Sequence, residues 1–197
     1  MATARRPASE ESDARTALLD AAAALMVDEG YAAVTTRRLG AAAGVNSALV
    51  YYYFDSMDGL FIELFRRGAE QSLARQEDAL RAPQPLWRLW DQTHEQSSSA
   101  LTMEFIALAN HRKAIQAEIG DYSRRFRRQQ LETLTGLLAG YGVDPVRWPA
   151  AALIVVVAGV SRFLRIEEAF DVEIGHAEAI ALVERLITEV EGPRRAD

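Results

Sequence analysis

The chain has 197 residues, 49% of them hydrophobic and 25% charged, so it is long enough to bury one large core or two small ones. It has no cysteine, which excludes disulfides and thiolate metal sites, and its formal charge of −6 argues against a broad electrostatic binder of nucleic acid. The longest apolar run, residues 150–160, is about half of the roughly 20 residues that a membrane-spanning helix needs. We therefore expect a cytoplasmic protein without a membrane segment, a cofactor or a metal.

Helical periodicity runs along the whole chain and predicts an all-α protein of about nine helices. The first predicted helix extends from about Asp13 to Asp28 and is ended by Gly30. The polar ends, residues 1–11 and 192–197, are expected to lie outside the fold. The remaining predicted helices cover residues 35–43, 46–54, 57–81, 85–98, 100–118, 122–141, 148–170 and 176–191. A loop at Gly120 is expected to separate helix 100–118 from helix 122–141.

The second and third helices are short and are joined by a tight turn, which is the pattern of a helix-turn-helix. Thr35 and Asn46 are good N-cap residues for the two helices, and Gly44 suits the turn between them. Val50 and Phe54 are four residues apart, so they share the face that packs inward. The third helix therefore has a buried back and a front that is offered to a groove.

The front of this helix carries small and aromatic residues that suit B-DNA. Tyrosine hydroxyls and Ser47 can bond phosphate oxygens or base edges, while Ala48 and Leu49 can lie against a thymine methyl group. Three adjacent tyrosines also fit a blander interpretation, in which one or two belong to the core and the others are incidental surface residues. Spacing alone leaves both interpretations open.

From Ala14 to Leu60 the chain resembles the DNA-binding domain of the TetR family of transcriptional regulators. The segments that carry the resemblance are, in order, ARTALLDAAAALMVDEGY, TTRRLG, AAGVN, VYYYF and DSMDGL. The resemblance implies a DNA-binding domain over residues 12–60 and an effector-binding and dimerisation domain over residues 61–191. It also assigns contacts with DNA to Ser47, Ala48, Leu49, Tyr51 and Tyr52, and phosphate contacts to Thr35, Arg37 and Tyr53.

Three positions depart from the family pattern. Asn46 replaces serine but caps a helix equally well. Gly40 replaces alanine, which should cost about 1 kcal/mol of helix propensity. Met57 replaces lysine and so removes a phosphate contact; residues 1–60 hold five arginines against eight acids, a net charge of −3. We expect weak non-specific DNA binding with a shallow salt dependence.

Beyond residue 60 the resemblance implies an effector-binding and dimerisation role but does not say which residues carry it. We therefore choose candidate residues by the helix face on which they lie. Trp87, Trp90 and His94 share one face and could line an effector pocket closed by the next helix. The candidates on that next helix are Met103, Phe105, Ile106 and Asn110. Ordinary core packing is the alternative for each of them.

The last two helices are the candidates for dimerisation because both are strongly apolar. Their predicted interface residues are Val156, Val160, Phe163, Ile180, Val183, Leu186, Ile187 and Val190. Packing within one subunit is the alternative. Arg124, Arg125 and Arg128 form a basic cluster that fits either an anionic effector or a solvated helix face.

Together these features predict a homodimer that binds a palindromic double-stranded operator and is released by a largely apolar small-molecule effector. That the protein represses transcription, as opposed to activating it, is implied by the resemblance alone. One alternative is a helical small-molecule-binding or interaction protein whose acidic helix-turn-helix no longer binds DNA. The other is an enzyme, but His94, His111 and His176 show no metal-ligand spacing and no nucleophile or phosphate-loop motif is present.

Overall fold

The computed structural model describes residues 8–97 and 100–195, with the side chains of residues 8–11 and 94–97 left undescribed. Within these residues the chain forms nine α-helices and one short 3-10 helix, Tyr31–Ala33, and no strand, which confirms the predicted all-α class. The helices are α1 Ala8–Glu29, α2 Thr36–Ala43, α3 Ala48–Phe54, α4 Met57–Leu80, α5 Pro85–Ser97, α6 Ala100–His111, α7 Lys113–Gly140, α8 Ala150–Glu168 and α9 His176–Glu191.

Three predicted boundaries are wrong. At the C-terminal end, residues 192–195 belong to the fold, because Arg194 forms an ion pair with Asp91 and the backbone N–H of Arg195 donates to Gln84 at 2.8 Å. Helix α1 begins at Ala8, so residues 8–11 belong to the fold. The break between α6 and α7 falls at Arg112, and Gly120 lies inside α7. A glycine inside a helix costs only about 1 kcal/mol. Burial of Ile115 in the core, just after the break, outweighs that cost.

The helices form two compact units. The first comprises residues up to Glu70 together with Ala100–Asp121, and the second comprises the remaining described residues. The predicted division after residue 60 concerns function, and it stays a prediction.

The first unit is built around one continuous apolar core. Residues of α1, α2, α3 and α4 contribute to it, and α6 and the start of α7 add Phe105, Leu108 and Ile115. Burying such side chains contributes roughly 1.5–3 kcal/mol each. The core therefore fixes α2 and α3 from behind.

The second unit contains a smaller core in which Trp87 and Trp90 of α5 pack with Val183 of α9. Glu191, at the end of α9, caps α5 by accepting the backbone N–H groups of Leu86 and Trp87, each at 3.0 Å. The Trp87 indole N–H donates to the carbonyl oxygen of Gly192 at 3.0 Å. The end of α9 is thus fastened to the start of α5.

No helix in the described part of the chain is both long enough and apolar enough to cross a membrane.

Candidate nucleic-acid interface

Helix α3 is held by its back and by both of its ends. Val50 is fully buried and Phe54 is 4% exposed, as the spacing predicts. Gly44 adopts the left-handed conformation, with a φ of 66°, that closes the turn from α2. The side-chain oxygen of Asn46 accepts the backbone N–H of Ala48 at 2.9 Å, which satisfies a donor at the start of the helix. The predicted turn and cap are both confirmed.

Gly40 has a role that the sequence did not reveal. A Cβ atom at this position would lie 2.9 Å from the carbonyl oxygen of Val45 and 3.1 Å from the Cα atom of Ser47. The backbone that leads into α3 therefore packs directly against α2. The departure from alanine, which we expected only to weaken α2, permits this close approach.

The front of α3 is open to solvent. Ser47 and Ala48 are exposed, and Tyr51 and Tyr52 are 56% and 66% exposed. Adjacent exposed aromatic side chains on an anchored helix are candidates for contact with a partner. These four residues form the exposed front of the helix.

Leu49 and Tyr53 differ from the rest of the predicted DNA-contacting set. Both are half-buried and pack against the first core. The Tyr53 ring lies edge-on to Tyr52 and Phe54, at centroid distances of 5.0 and 6.2 Å. Its hydroxyl is covered and has no hydrogen-bond partner.

The start of α2 supplies the second part of the interface. Thr35 is exposed, and its hydroxyl accepts the backbone N–H of Arg38 at 3.4 Å, so it caps α2 as predicted. Arg37 is exposed and no carboxylate pairs with it among the described residues. Arg38 instead donates to the Glu29 carboxylate through both of its terminal guanidinium nitrogens, Nη1 and Nη2. That hydrogen bonding lowers the pKa of Glu29.

The turn after α3 is tight. Asp55 has a φ of 59°, which is uncommon for a residue with a side chain, and Ser56 caps α4 by accepting the backbone N–H of Gly59 at 2.9 Å. Asp58, in the first turn of α4, forms an ion pair with Arg112. The Arg112 guanidinium also lies over the Phe61 ring, 5.8 Å from its centroid.

The residues predicted to form an effector pocket lie in different places. Trp87 and Trp90 belong to the core of the second unit, whereas Phe105 belongs to that of the first. Met103, Ile106 and Asn110 are exposed on α6. The side chain of His94 lies outside the described residues. The pocket stays a prediction.

The residues predicted to form a dimer interface are also divided. Val156 and Phe163 are 54% and 58% exposed, so they are available to a partner. Val183 is buried, Leu186 and Val190 are half-buried, and the other three pack partly against the tryptophan core: Val160, Ile180 and Ile187. Val155 and Leu182 are exposed apolar residues that the prediction omitted. The basic cluster on α7 is exposed at Arg124, Arg125 and Arg128.

Residues 18–64 match the sequence profile described as bacterial regulatory proteins, tetR family. Over 58 residues the chain is 41% identical to the HTH-type transcriptional repressor KstR2 of Rhodococcus jostii (strain RHA1). That alignment covers 29% of this chain and 28% of the length of the relative.

Solved structures show the same fold over almost the whole chain. A TetR-family transcriptional regulator from Streptomyces coelicolor has a TM-score of 0.67 at 20% identity, covering 91% of this chain and 97% of that one. A transcriptional regulator from Saccharomonospora viridis, crystallised in complex with choline, has a TM-score of 0.66 at 18% identity and covers 90% and 95%. Likeness at this level of identity concerns the fold alone.

Proposed function

We infer the function of this chain from its membership of the TetR family of bacterial regulatory proteins, whose DNA-binding domain it carries at residues 18–64. It is a transcriptional regulator. We propose that it acts in the cytoplasm as a homodimeric repressor, binds a palindromic operator through α3, and is released by a small-molecule effector. A catalytic role forms no part of this proposal.

The observation that carries the proposal is the exposed front of α3 on a helix whose back is buried. Ser47, Ala48, Tyr51 and Tyr52 would read or grip the major groove, because their side chains are exposed while Val50 and Phe54 anchor the helix. Thr35 and Arg37 would hold phosphates beside it. Leu49 would contact DNA only with its exposed edge.

Tyr53 fits a phosphate contact only if its hydroxyl is uncovered on binding. It is buried and unpaired in the free protein, and an unpaired buried hydroxyl costs free energy that a phosphate oxygen would recover. Replacement by phenylalanine separates the possibilities. A Tyr53→Phe variant that binds operator like the wild type would limit Tyr53 to a packing role.

Dimerisation would place two copies of α3 about 34 Å apart, which is one turn of B-DNA. The exposed apolar side chains on α8 and α9 support this: Val155, Val156, Phe163 and Leu182. They lie on the two helices predicted to meet a second copy, and hydrophobic surface of this kind is typical of subunit interfaces. Val183, in contrast, would stabilise each subunit internally.

The effector is assigned to residues 61–191. Repression is named in a curated relative, and one structural relative holds a small molecule, choline. An effector that prefers a different spacing of the two α3 helices lowers operator affinity by the same factor by which operator lowers effector affinity. We expect a largely apolar effector.

Selection of bound genomic fragments, followed by gel shifts with the recovered sequence, tests the proposal. Tyr52→Ala should weaken operator binding markedly, and Tyr52→Phe separates the hydroxyl from the ring. Circular dichroism should show both variants folded, since Tyr52 is exposed. Equal binding by Tyr52→Ala and the wild type would mean that the front of α3 does not face DNA.

One observation favours a second candidate. Residues 1–60 carry a net charge of −3, and Met57 stands where the family pattern has lysine. Recovery of no specific fragment would therefore favour a helical small-molecule-binding or interaction protein that has lost DNA binding.

A further inference from the structure

Among the described residues, four buried side-chain polar atoms have no hydrogen-bond partner, and three of them lie in the second unit. They are Oε1 of Gln76, Oγ of Ser161 and Nε of Arg165. Ser161 is fully buried and Gln76 is 7% exposed. Buried polar atoms are nearly always paired, because leaving one unpaired costs about 1–3 kcal/mol.

Ser161 and Arg165 form a pair on α8. They are four residues apart, so their side chains lie on one face with Cβ atoms about 5–6 Å apart. Ile154 and Leu164 are buried on the same helix, and Val157 and Val160 pack against the tryptophan core. Two unpaired hydrogen-bonding groups thus lie on one face of a helix that also buries apolar side chains.

The positive charge of Arg165 is already balanced by Glu168. Nη1 of Arg165 donates to Oε2 of Glu168 at 2.6 Å, whereas its buried Nε–H has no hydrogen-bond partner. A carboxylate brought to these donors would be a second anion on a guanidinium that Glu168 already neutralises, and an unmatched buried charge is costly. A neutral oxygen carries no such penalty.

We propose that Ser161 and the Nε–H of Arg165 form a polar anchor for the effector, and that they bind an uncharged acceptor oxygen, such as a ketone, ester or amide carbonyl, on an otherwise apolar molecule. This inference rests on the proposed function, in which the second unit receives the effector. Ser161 is fully covered, so the ligand reaches it only in an opened arrangement of this unit. Binding must therefore shift the population of conformations.

Thermal unfolding of the full chain with three eight-carbon probes tests the anchor: methyl hexyl ketone, octanoate and octylamine at equal concentration. The ketone should raise the Tm of the wild type by about 2 °C or more, and the two charged probes should raise it less. Ser161→Ala should abolish the rise. Arg165→Lys, which keeps a charge for Glu168 but lacks the Nε–H, should reduce it.

The free Ser161→Ala protein gives an independent readout. Because the substitution removes an unpaired buried hydroxyl, its Tm should equal that of the wild type or exceed it by about 2 °C. Ser123→Ala is the matched control, since Ser123 is exposed on α7 and should keep the response to the ketone.

Three results would overturn the anchor. A lower Tm for the free Ser161→Ala protein than for the wild type would mean that the hydroxyl already has a stabilising partner in the fold. An unchanged ketone response in that variant would place binding elsewhere, and a larger response to octanoate than to the ketone would contradict an uncharged acceptor. Gel shifts with the same wild-type preparation report operator binding separately. A failure of the anchor is thereby distinguished from a failure of the proposed function.

Discussion

The carboxylate of Glu104 accepts the backbone N–H of Tyr31 at 2.6 Å, which joins α6 to the 3-10 helix that leads into α2. The same carboxylate lies against Gly30, where a Cβ atom would come within 3.4 Å of it. Tyr31 also places its ring 6.3 Å from that of His111. The entry to the helix-turn-helix is therefore held by a residue 73 positions further along the chain.

Replacing Glu104 by alanine should destabilise the chain by about 1.5–3 kcal/mol, because a hydrogen bond to a charged acceptor is lost and the Tyr31 N–H is left without it. Urea unfolding measures the change. Glu132→Ala is the control, since Glu132 is exposed on α7 and should have an effect within about 0.5 kcal/mol. Equal midpoints for Glu104→Ala and the wild type would show that the contact contributes nothing to stability.

Gly40→Ala and Gly68→Ala should change stability in opposite directions although both lie inside helices. A Cβ atom at Gly40 meets the backbone of Val45 and Ser47, so we expect a loss of about 1–3 kcal/mol and weaker operator binding as α3 is displaced. A Cβ atom at Gly68 would meet nothing within 4 Å beyond its own helix backbone, so alanine should raise the free energy of unfolding by about 0.5–1 kcal/mol. Thermal unfolding and gel shifts measure both. A stabilised Gly40→Ala protein with normal operator affinity would contradict the close approach of α2 and α3.

Arg37→Gln and Arg38→Gln should affect operator binding differently although the residues are adjacent. Arg37 is exposed without a carboxylate partner in the described structure, so its loss should lower the slope of log affinity against log salt by about 0.9. Arg38 is engaged by Glu29 and should change the slope little. Fluorescence anisotropy over a salt series supplies the slopes. A larger change for Arg38→Gln would reverse our assignment of the phosphate contact.

The Tyr141 hydroxyl should lose its proton at a higher pH than an ordinary tyrosine does. Desolvation, together with the hydrogen bond that its hydroxyl donates to Glu191 at 2.5 Å, raises its pKa to about 12. The folded-state pKa exceeds the unfolded value near 10, so this contribution to stability is complete below about pH 10 and is lost as pH rises towards about 12. Ultraviolet titration should show a late phenolate component that is missing in Tyr141→Phe. In Glu191→Gln the component should move to lower pH, and an unchanged midpoint there would remove Glu191 as a cause.

Local chemistry made much of the DNA-binding region predictable. The turn at Gly44, the caps at Thr35 and Asn46, and the burial of Val50 and Phe54 each follow from a residue type and a spacing of a few positions. The inward lean of Leu49 and Tyr53 does not follow, because helix periodicity gives a direction and not the depth of the surrounding core.

Contacts between residues that are distant in the sequence could not be predicted from it. Nothing near Phe105 indicates that it joins the core of the first unit while Trp90 joins that of the second, since both are apolar residues on amphipathic helices. The break at Arg112 was missed for a similar reason. It coincides with tertiary contacts to Asp58 and Phe61, whereas Gly120 offered a local signal that the fold does not use.

The enclosure of Phe105, Leu108 and Ile115 in the first core bears on how segments of this chain could be recombined with those of related chains. A chimera that joins only residues 1–70 to a foreign domain would lose these three side chains and expose their apolar neighbours in the first core to water. A transplant that also carries residues 100–121 would keep them. The exchangeable module is therefore discontinuous, and its transplantation requires three junctions, at 70/71, 99/100 and 121/122, where a cut within α4 alone would need only one.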